Sequence, residues 1–385
     1  MSSSQPSLRS TSPRLIQAGR TLVSSAGAVL LALVVGAIFI LISDQNPLEA
    51  YRALLDGAFG GRYAISETLV AATPMIFGGL AFAVAARAGM FNIGIQGQFV
   101  VGSLAAALVA AMGLGLPPIL YVPLIAIVGG VAGGVWGAIP GILKARSGAS
   151  EVITTIMLNY LAYRISTYSV TTAGSWLDLV DPGQKGTDRA DPDAMFPRIF
   201  AFALGRTRLH AGFLVALVSA LLVWYLLFRT TLGYRIRTVG LSRGASDFAG
   251  IHWGRTITLA MFISGLFGGL MGASESVGLN SRHTDPLAGY GFTAIAVGLV
   301  GRNNPIGVIL AGLLFGVLRN GSNAMQAQAG TSRELVSILQ GLVILSISAL
   351  AAIEYMRSRR AARIETAPPA PPQARADAVT TGAPV

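Results

Sequence analysis

The sequence predicts an all-α fold: a polytopic bundle of about ten transmembrane helices with both termini on the cytoplasmic side. Three observations carry that prediction. Hydrophobic residues make up 53% of the 385 residues and charged residues only 12%, about half the charge of a soluble domain. Apolar runs long enough to cross a roughly 30 Å hydrocarbon layer recur along the chain. The 28 Lys and Arg residues, which leave a net charge of +11, fall in short segments between those runs, where basic loops orient helices with their charge inside. They do not gather on one soluble face, which argues against a nucleic-acid partner.

The first run, Leu22–Ile42, follows Arg9, Arg14 and Arg20. It exceeds a signal-peptide core of about 7–15 residues and is expected to remain as the first span. Residues 1–20 ahead of it are expected to be a disordered cytoplasmic tail, residues 21–356 the transmembrane domain, and residues 357–385 a second disordered cytoplasmic tail. An amphipathic stretch, Asn46–Tyr63, suits the membrane interface. The second to fifth spans are predicted at Glu67–Ala86, Ile93–Met112, between Pro117 and Leu143, and at Val152–Val170. A polar loop with Asp178, Asp181, Asp188, Asp191 and Asp193 follows. The sixth and seventh spans are predicted at Leu209–Phe228 and Ile257–Ser274. The eighth and ninth, Phe292–Val300 and Ile306–Leu318, are short and separated by Gly-Arg-Asn-Asn-Pro, so they form two tilted crossings or one broken hairpin. The tenth is Leu335–Ile353. Alternation from a cytoplasmic start puts Arg87, Lys144, Arg146, the Arg229–Arg255 loop and Arg302 inside and the acidic loop outside.

Several chemistries are excluded or disfavoured. The chain has no cysteine, and His210, His252 and His283 share no ligand spacing, so no metal site is expected. A P-loop needs a glycine-rich turn ending in Lys-Ser or Lys-Thr. Lys144 precedes Ala145 and Lys185 precedes Gly186, so the chain has no P-loop.

Four patterns stand out inside this frame. Gly129, Gly133, Gly137 and Gly141 line one face of the fourth span, and Gly265/Gly269 with Gly268/Gly272 form two stripes on the seventh. Lipid gives helices no hydrophobic drive to associate, so close packing over glycine must supply it. Glu151, Thr155, Asn159, Tyr163 and Ser166 share a face of the fifth span. Such a face either hydrogen-bonds neighbouring helices or lines a pore. The turn from Ala88 to Gln98 is glycine-interrupted, with Asn92 and Gln96 one turn apart and Gly94, Gln98 and Gly102 on a second line. Broken entry into a span exposes backbone groups to a cavity, and tight packing would select the same glycines. Within the basic segment at about 230–254, residues Ala245–Ala249 suit a short helix between glycines with Phe248 as an apolar knob.

These motifs resemble the permeases of bacterial ABC importers in the branched-chain amino acid, ribose and nucleoside group, most closely its simple sugar and nucleoside branch. Phe91–Gln98 is similar to that branch's Asn-Ile-Gly-x-Glu-Gly-Gln signature, Glu151–Tyr160 to its Glu-Val-Ile-x-Thr-Ile-Met-Leu-Asn-Tyr segment, and Gly240–Ile251 to its coupling loop. Gln96 stands where the signature usually has glutamate. The resemblance implies a translocation path near Asn92, Gln96, Gln98, Thr155, Asn159 and Tyr160, and an ATPase-coupling loop using Arg243, Ala245, Asp247, Phe248 and Gly250. It further implies a cytoplasmic ATP-binding subunit that hydrolyses ATP, a second permease (self or paralogue), an extracytoplasmic solute-binding protein, no cofactor on this chain, and residence in the bacterial inner membrane. The solute would be a nucleoside or simple sugar.

The alternative is a secondary transporter driven by an ion gradient. Proton coupling calls for an ionisable group near mid-membrane, and Glu67, Glu151 and Glu275 all fall near span ends. An intramembrane enzyme would need a Ser/His or paired-aspartate constellation at depth, and no predicted span interior contains an aspartate.

Overall fold

The computed structural model describes residues 27, 30–171, 180–181, 185–199, 207–284 and 289–332, and part of 335–349. Both expected tails, the first residues of the first span, the end of the tenth span and Asp178 lie outside the described residues. The chain divides into a unit of residues 36–340 and a smaller one of residues 1–35 with 341–385. The described residues of the smaller unit are helical.

The element order is α1 (Leu30–Ile42), then α2 (Pro47–Phe59), α3 (Arg62–Arg87), α4 (Ile95–Ala111), α5 (Pro118–Ser147) and α6 (Glu151–Thr171). A two-residue hairpin, β1 (Val180–Asp181) with β2 (Gly186–Thr187), interrupts the helices. The chain continues through α7 (Gly212–Arg229), α8 (Thr231–Leu241), α9 (Arg243–Phe248), α10 (Trp253–Ala273), α11 (Tyr290–Val300) and α12 (Pro305–Ala329). Helices α3, α5, α7, α12 and α10 continued to Asn280 are long and apolar enough to cross a bilayer, and α1, α4 and α11 are shorter apolar helices.

Helix α10 packs against both α4 and α5, and its two glycine stripes explain how. A Cβ on Gly133 of α5 would lie 2.6 Å from the Gly269 Cα, and one on Gly141 2.9 Å from the Thr258 Cα. A Cβ on Gly272 would lie 2.5 Å from the Ser103 backbone nitrogen of α4, and one on Gly268 would press on the Gln98 side chain. Backbone therefore meets backbone along two seams, where dispersion and close polar contact replace the missing hydrophobic drive. Past Ala273, α10 widens into a π-helical turn, Ser274–Asn280, that buries Glu275.

The eighth and ninth segments are two helices of unequal length joined by a tight turn. Helix α11 has 11 residues, about 16 Å of rise. Gly78, Gly79 and Phe82 of α3 face Ala294, Val297 and Gly298 of α11, so the short arm covers only the Arg87 end of α3. The turn places Arg302 and Asn303 at φ 55° and 52°. Arg87 Nε holds it by donating to the Asn303 carbonyl at 2.9 Å, and the Asn304 side chain accepts from Ile306 N to start α12. The expected end of the ninth span at Leu318 is too early, because α12 continues to Ala329. The half-buried Asn320 in this polar extension is held by partners: its Nδ2 donates to Gly57 O, Ala64 O and Thr68 Oγ1 at 2.8, 3.0 and 3.1 Å.

The basic segment after α7 is helical. The Thr230 hydroxyl caps α8 by accepting from Gly233 N, and Ile236 and Val239 face inward at three-residue spacing. Arg87 and Arg237 lie 5.5 and 5.3 Å from the Phe228 ring centroid, so arginines expected to set orientation also tie α8 to α3 and α7. Gly89, at φ 74°, lets the chain after α3 approach Gly240 of α8.

Candidate functional site

The first candidate site surrounds the start of α4. A helix entering from an irregular turn leaves its first N–H groups without intrahelical acceptors. Asn92 Oδ1 accepts from Gly94 N at 2.9 Å, and Asn159 Oδ1 of α6 accepts from Gly97 N at 2.8 Å. Asn159 Nδ2 returns a bond to Ile93 O at 3.0 Å. Asn92 Nδ2 donates to Ser264 Oγ at 2.8 Å, and Ser264 Oγ in turn donates to Ala81 O at 2.6 Å. Asn92 and Gln98 also bond each other, at 3.2 and 3.3 Å. Gln96 Oε1 accepts from Gly291 N of α11 at 2.8 Å.

The structure thus brings Asn92, Gln96, Gln98, Thr155 and Asn159 together across α4, α6, α10 and α11. Thr155 is fully buried against Gly94 and returns its hydroxyl to Glu151 O at 2.6 Å. Tyr160 lies apart, on the outer face of α6 with Met157 and Tyr168, and is 68% exposed. Trp136 of α5 approaches Gly97, and its indole N–H has no acceptor among the described residues. Sequence reasoning missed Trp136 because a lone indole in an apolar run carries no spacing signal.

A second site is α9. The Ser242 side chain caps it by accepting from Ala245 N, Ser246 is buried, and Ile251 N closes onto Ser246 O at 2.9 Å. Gly250, at φ 68°, permits that reversal. The Arg243 guanidinium stacks 4.5 Å from the Trp253 ring centroid. Of the residues singled out in sequence, Arg243, Ala245, Asp247, Phe248 and Gly250 are all exposed, and Phe248 is 98% exposed. This helix is held at both ends and presents an aromatic ring to its surroundings.

Two buried polar networks went unpredicted. His283 bridges Ser103 of α4 and Ser166 of α6 at 2.8 and 2.7 Å. Tyr290 donates to Glu275 at 3.1 Å and carries Arg319 at 4.0 Å from its ring centroid. Arg208, ahead of α7, pairs with Glu67 of α3, and that hydrogen bond raises the guanidinium above its ordinary range. Lys144 at the end of α5 pairs with Glu151 at the start of α6. No group of three metal-ligating side chains occurs among the described residues.

Together these features define a multi-pass membrane protein with a buried polar cluster and one projecting helix. The family described as branched-chain amino acid transport system / permease component matches residues 64–348, and the chain belongs to it. It is 37% identical over 335 residues to the guanosine ABC transporter permease protein NupP of Bacillus subtilis, covering 86% of this chain and 94% of that one. It is 36% identical over 332 residues to the nucleoside ABC transporter permease protein NupB of Lactococcus lactis, covering 86% and 91%. Similarity to the glucose ABC transporter permease protein TsgB13 of Haloferax volcanii is 33% over 330 residues, covering 82% and 84%. No solved structure matches the chain.

Proposed function

We propose that this chain is the translocation subunit of an ABC importer for nucleosides, working in the bacterial inner membrane with a separate ATP-binding subunit. The observation that carries this reading is the rigid, exposed α9 with its 98% exposed Phe248. A ring left in water on a helix fixed at both ends gains its burial only against another surface. On the proposed topology that surface is a cytoplasmic ATPase, because α9 falls between α7 and α10 and shares a cleft with the basic end of α5, which carries Lys144 and Arg146. Arg243 and Asp247 would rim the contact, and Ala245 and Gly250 would keep it shallow. ATP would be hydrolysed by that partner, and no cofactor is assigned to this chain.

The path is proposed to pass the start of α4. Asn92, Gln98, Thr155 and Asn159 would hold the broken backbone open, and Gln96 and the Trp136 N–H, which has no acceptor among the described residues, would meet the solute. Tyr160, exposed on α6, would stack on a base or ring where a second permease completes the path. A nucleoside is favoured over a simple sugar because the two relatives of highest identity reported above are named for guanosine and nucleosides. An extracytoplasmic binding protein would deliver it.

The test is uptake of labelled guanosine into proteoliposomes holding this chain, its companion permease and the ATPase, with the loaded binding protein added. The reading expects uptake that needs ATP and stops when the ATPase is omitted. Uptake by the permeases alone under a proton or sodium gradient would overturn it in favour of a secondary transporter.

A further inference from the structure

A groove of about 550 Å³ runs along the outside of the α5–α10 crossing. Its wall is built from Ala138, Ile142, Thr258, Leu259 and Phe262, and it ends at Arg146 and Arg255. Helices α5 and α10 meet backbone to backbone along the glycine seam, and the crevice lies beside that contact. Ala145 and Gly254 narrow its floor further, since a Cβ on Gly254 would lie 3.1 Å from the Ala145 Cβ.

The charged end is built for an anion. Gly254 and Arg255 belong to the first turn of α10, which has neither a side-chain cap nor an acidic residue. The first-turn N–H groups have no intrahelical acceptors, and the positive end of the helix dipole lies at the groove end that Arg146 and Arg255 also line. Arg146 and Arg255 are both exposed, and neither forms an ion pair among the described residues. Lys144, the neighbouring cation, is already engaged by Glu151. A second cleft of about 510 Å³ adjoins through Ala145, Gly254 and Arg255, and Asp247 is its single acidic lining residue.

We propose that this groove binds an anionic phospholipid, with its phosphate between Arg146, Arg255 and the α10 N-terminus and one acyl chain along Ala138, Ile142, Leu259 and Phe262. An apolar trough closed by cations at the membrane surface matches both halves of such a lipid. The proposal rests on the topology above, which puts the arginine end at the cytoplasmic leaflet. The bound lipid would brace the α5–α10 pair just behind α9.

The experiment uses the assembled importer in nanodiscs of phosphatidylcholine with or without phosphatidylglycerol, and reads lipid retained after detergent extraction by native mass spectrometry. The intact complex should retain phosphatidylglycerol in preference to phosphatidylcholine. Arg146→Gln with Arg255→Gln should weaken phosphatidylglycerol binding by about 25-fold, taking roughly one fivefold step per interfacial arginine. Ala138→Trp should displace lipid of either headgroup. Unchanged retention in the double variant would overturn the proposal. So would cross-linking of a cysteine at position 138 to the companion permease, which would mean that protein fills the groove. ATPase pull-down is run in parallel. Its loss in the double variant would reassign the arginines to the ATPase contact, whereas lipid retention by a chain that never binds an ATPase would sink the importer reading and leave the lipid site standing.

Discussion

Replacing Phe248 by alanine removes a side chain that is 98% exposed in the chain by itself. Nothing in the fold depends on it, because α9 is fixed by the Ser242 cap, buried Ser246 and the closure of Ile251 onto Ser246. Thermal unfolding of the purified permease should therefore shift by no more than a typical surface change, within about 0.5 kcal/mol. Association with the ATPase is another matter. Fully burying a phenylalanine side chain is worth about 1.5–3 kcal/mol, and nearly all of that remains to be gained on binding. At about 1.4 kcal/mol per tenfold, Phe248→Ala should weaken the permease–ATPase complex by roughly 10- to 150-fold, with Phe248→Leu in between. The assay is titration of labelled ATPase onto permease in nanodiscs, with transport measured on the same samples. An affinity within twofold of the parent, together with unimpaired ATP-driven uptake, would refute the argument that α9 is the coupling element.

The remaining predictions concern the bundle. Asn159→Ala strips the acceptor from Gly97 N and the donor from Ile93 O at once; it should lower stability by about 1–3 kcal/mol for the orphaned, partly buried groups, seen as earlier thermal unfolding. Gly133→Leu forces a side chain where a Cβ alone already lies 2.6 Å from Gly269; at least the roughly 1–3 kcal/mol of overpacking should be lost, and expression in the membrane should fall. Asn320→Leu releases the carbonyls of Gly57 and Ala64 and the Thr68 hydroxyl, and hydrogen exchange at the α2–α3 turn should speed up while the α5–α10 seam stays protected.

Much of this architecture was legible because lipid imposes a single strong rule on each stretch. Apolar runs identified α3, α5, α7 and α10, and glycine spacing marked the faces of α5 and α10 that pack closely. The knob at Phe248 was legible from Gly-Ala-Ser-Asp-Phe-Ala-Gly alone, since glycines bracket a short helical unit. Other features depend on partners far away in sequence. Arg319 and Asn320 look like the end of a span until Tyr290, Gly57 and Thr68 supply their contacts. The α8 helix was hidden by its arginines, which mask the Ile236/Val239 pair. Asn92 and Asn159 were recognisable as polar groups inside a bundle, but their capping of the α4 entry needs the turn's geometry. The His283 bridge to Ser103 and Ser166 joins residues 180 and 117 positions apart, beyond any local pattern.

The side of the membrane on which α9 stands decides the account. The natural chain has no cysteine, so a single Phe248→Cys substitution gives one reactive thiol at a fully solvated position. A membrane-impermeant maleimide should label it in inside-out vesicles and leave it unmodified in intact spheroplasts. Labelling from the outside of spheroplasts would put α9 beyond the reach of any cytoplasmic ATPase and contradict the proposed coupling.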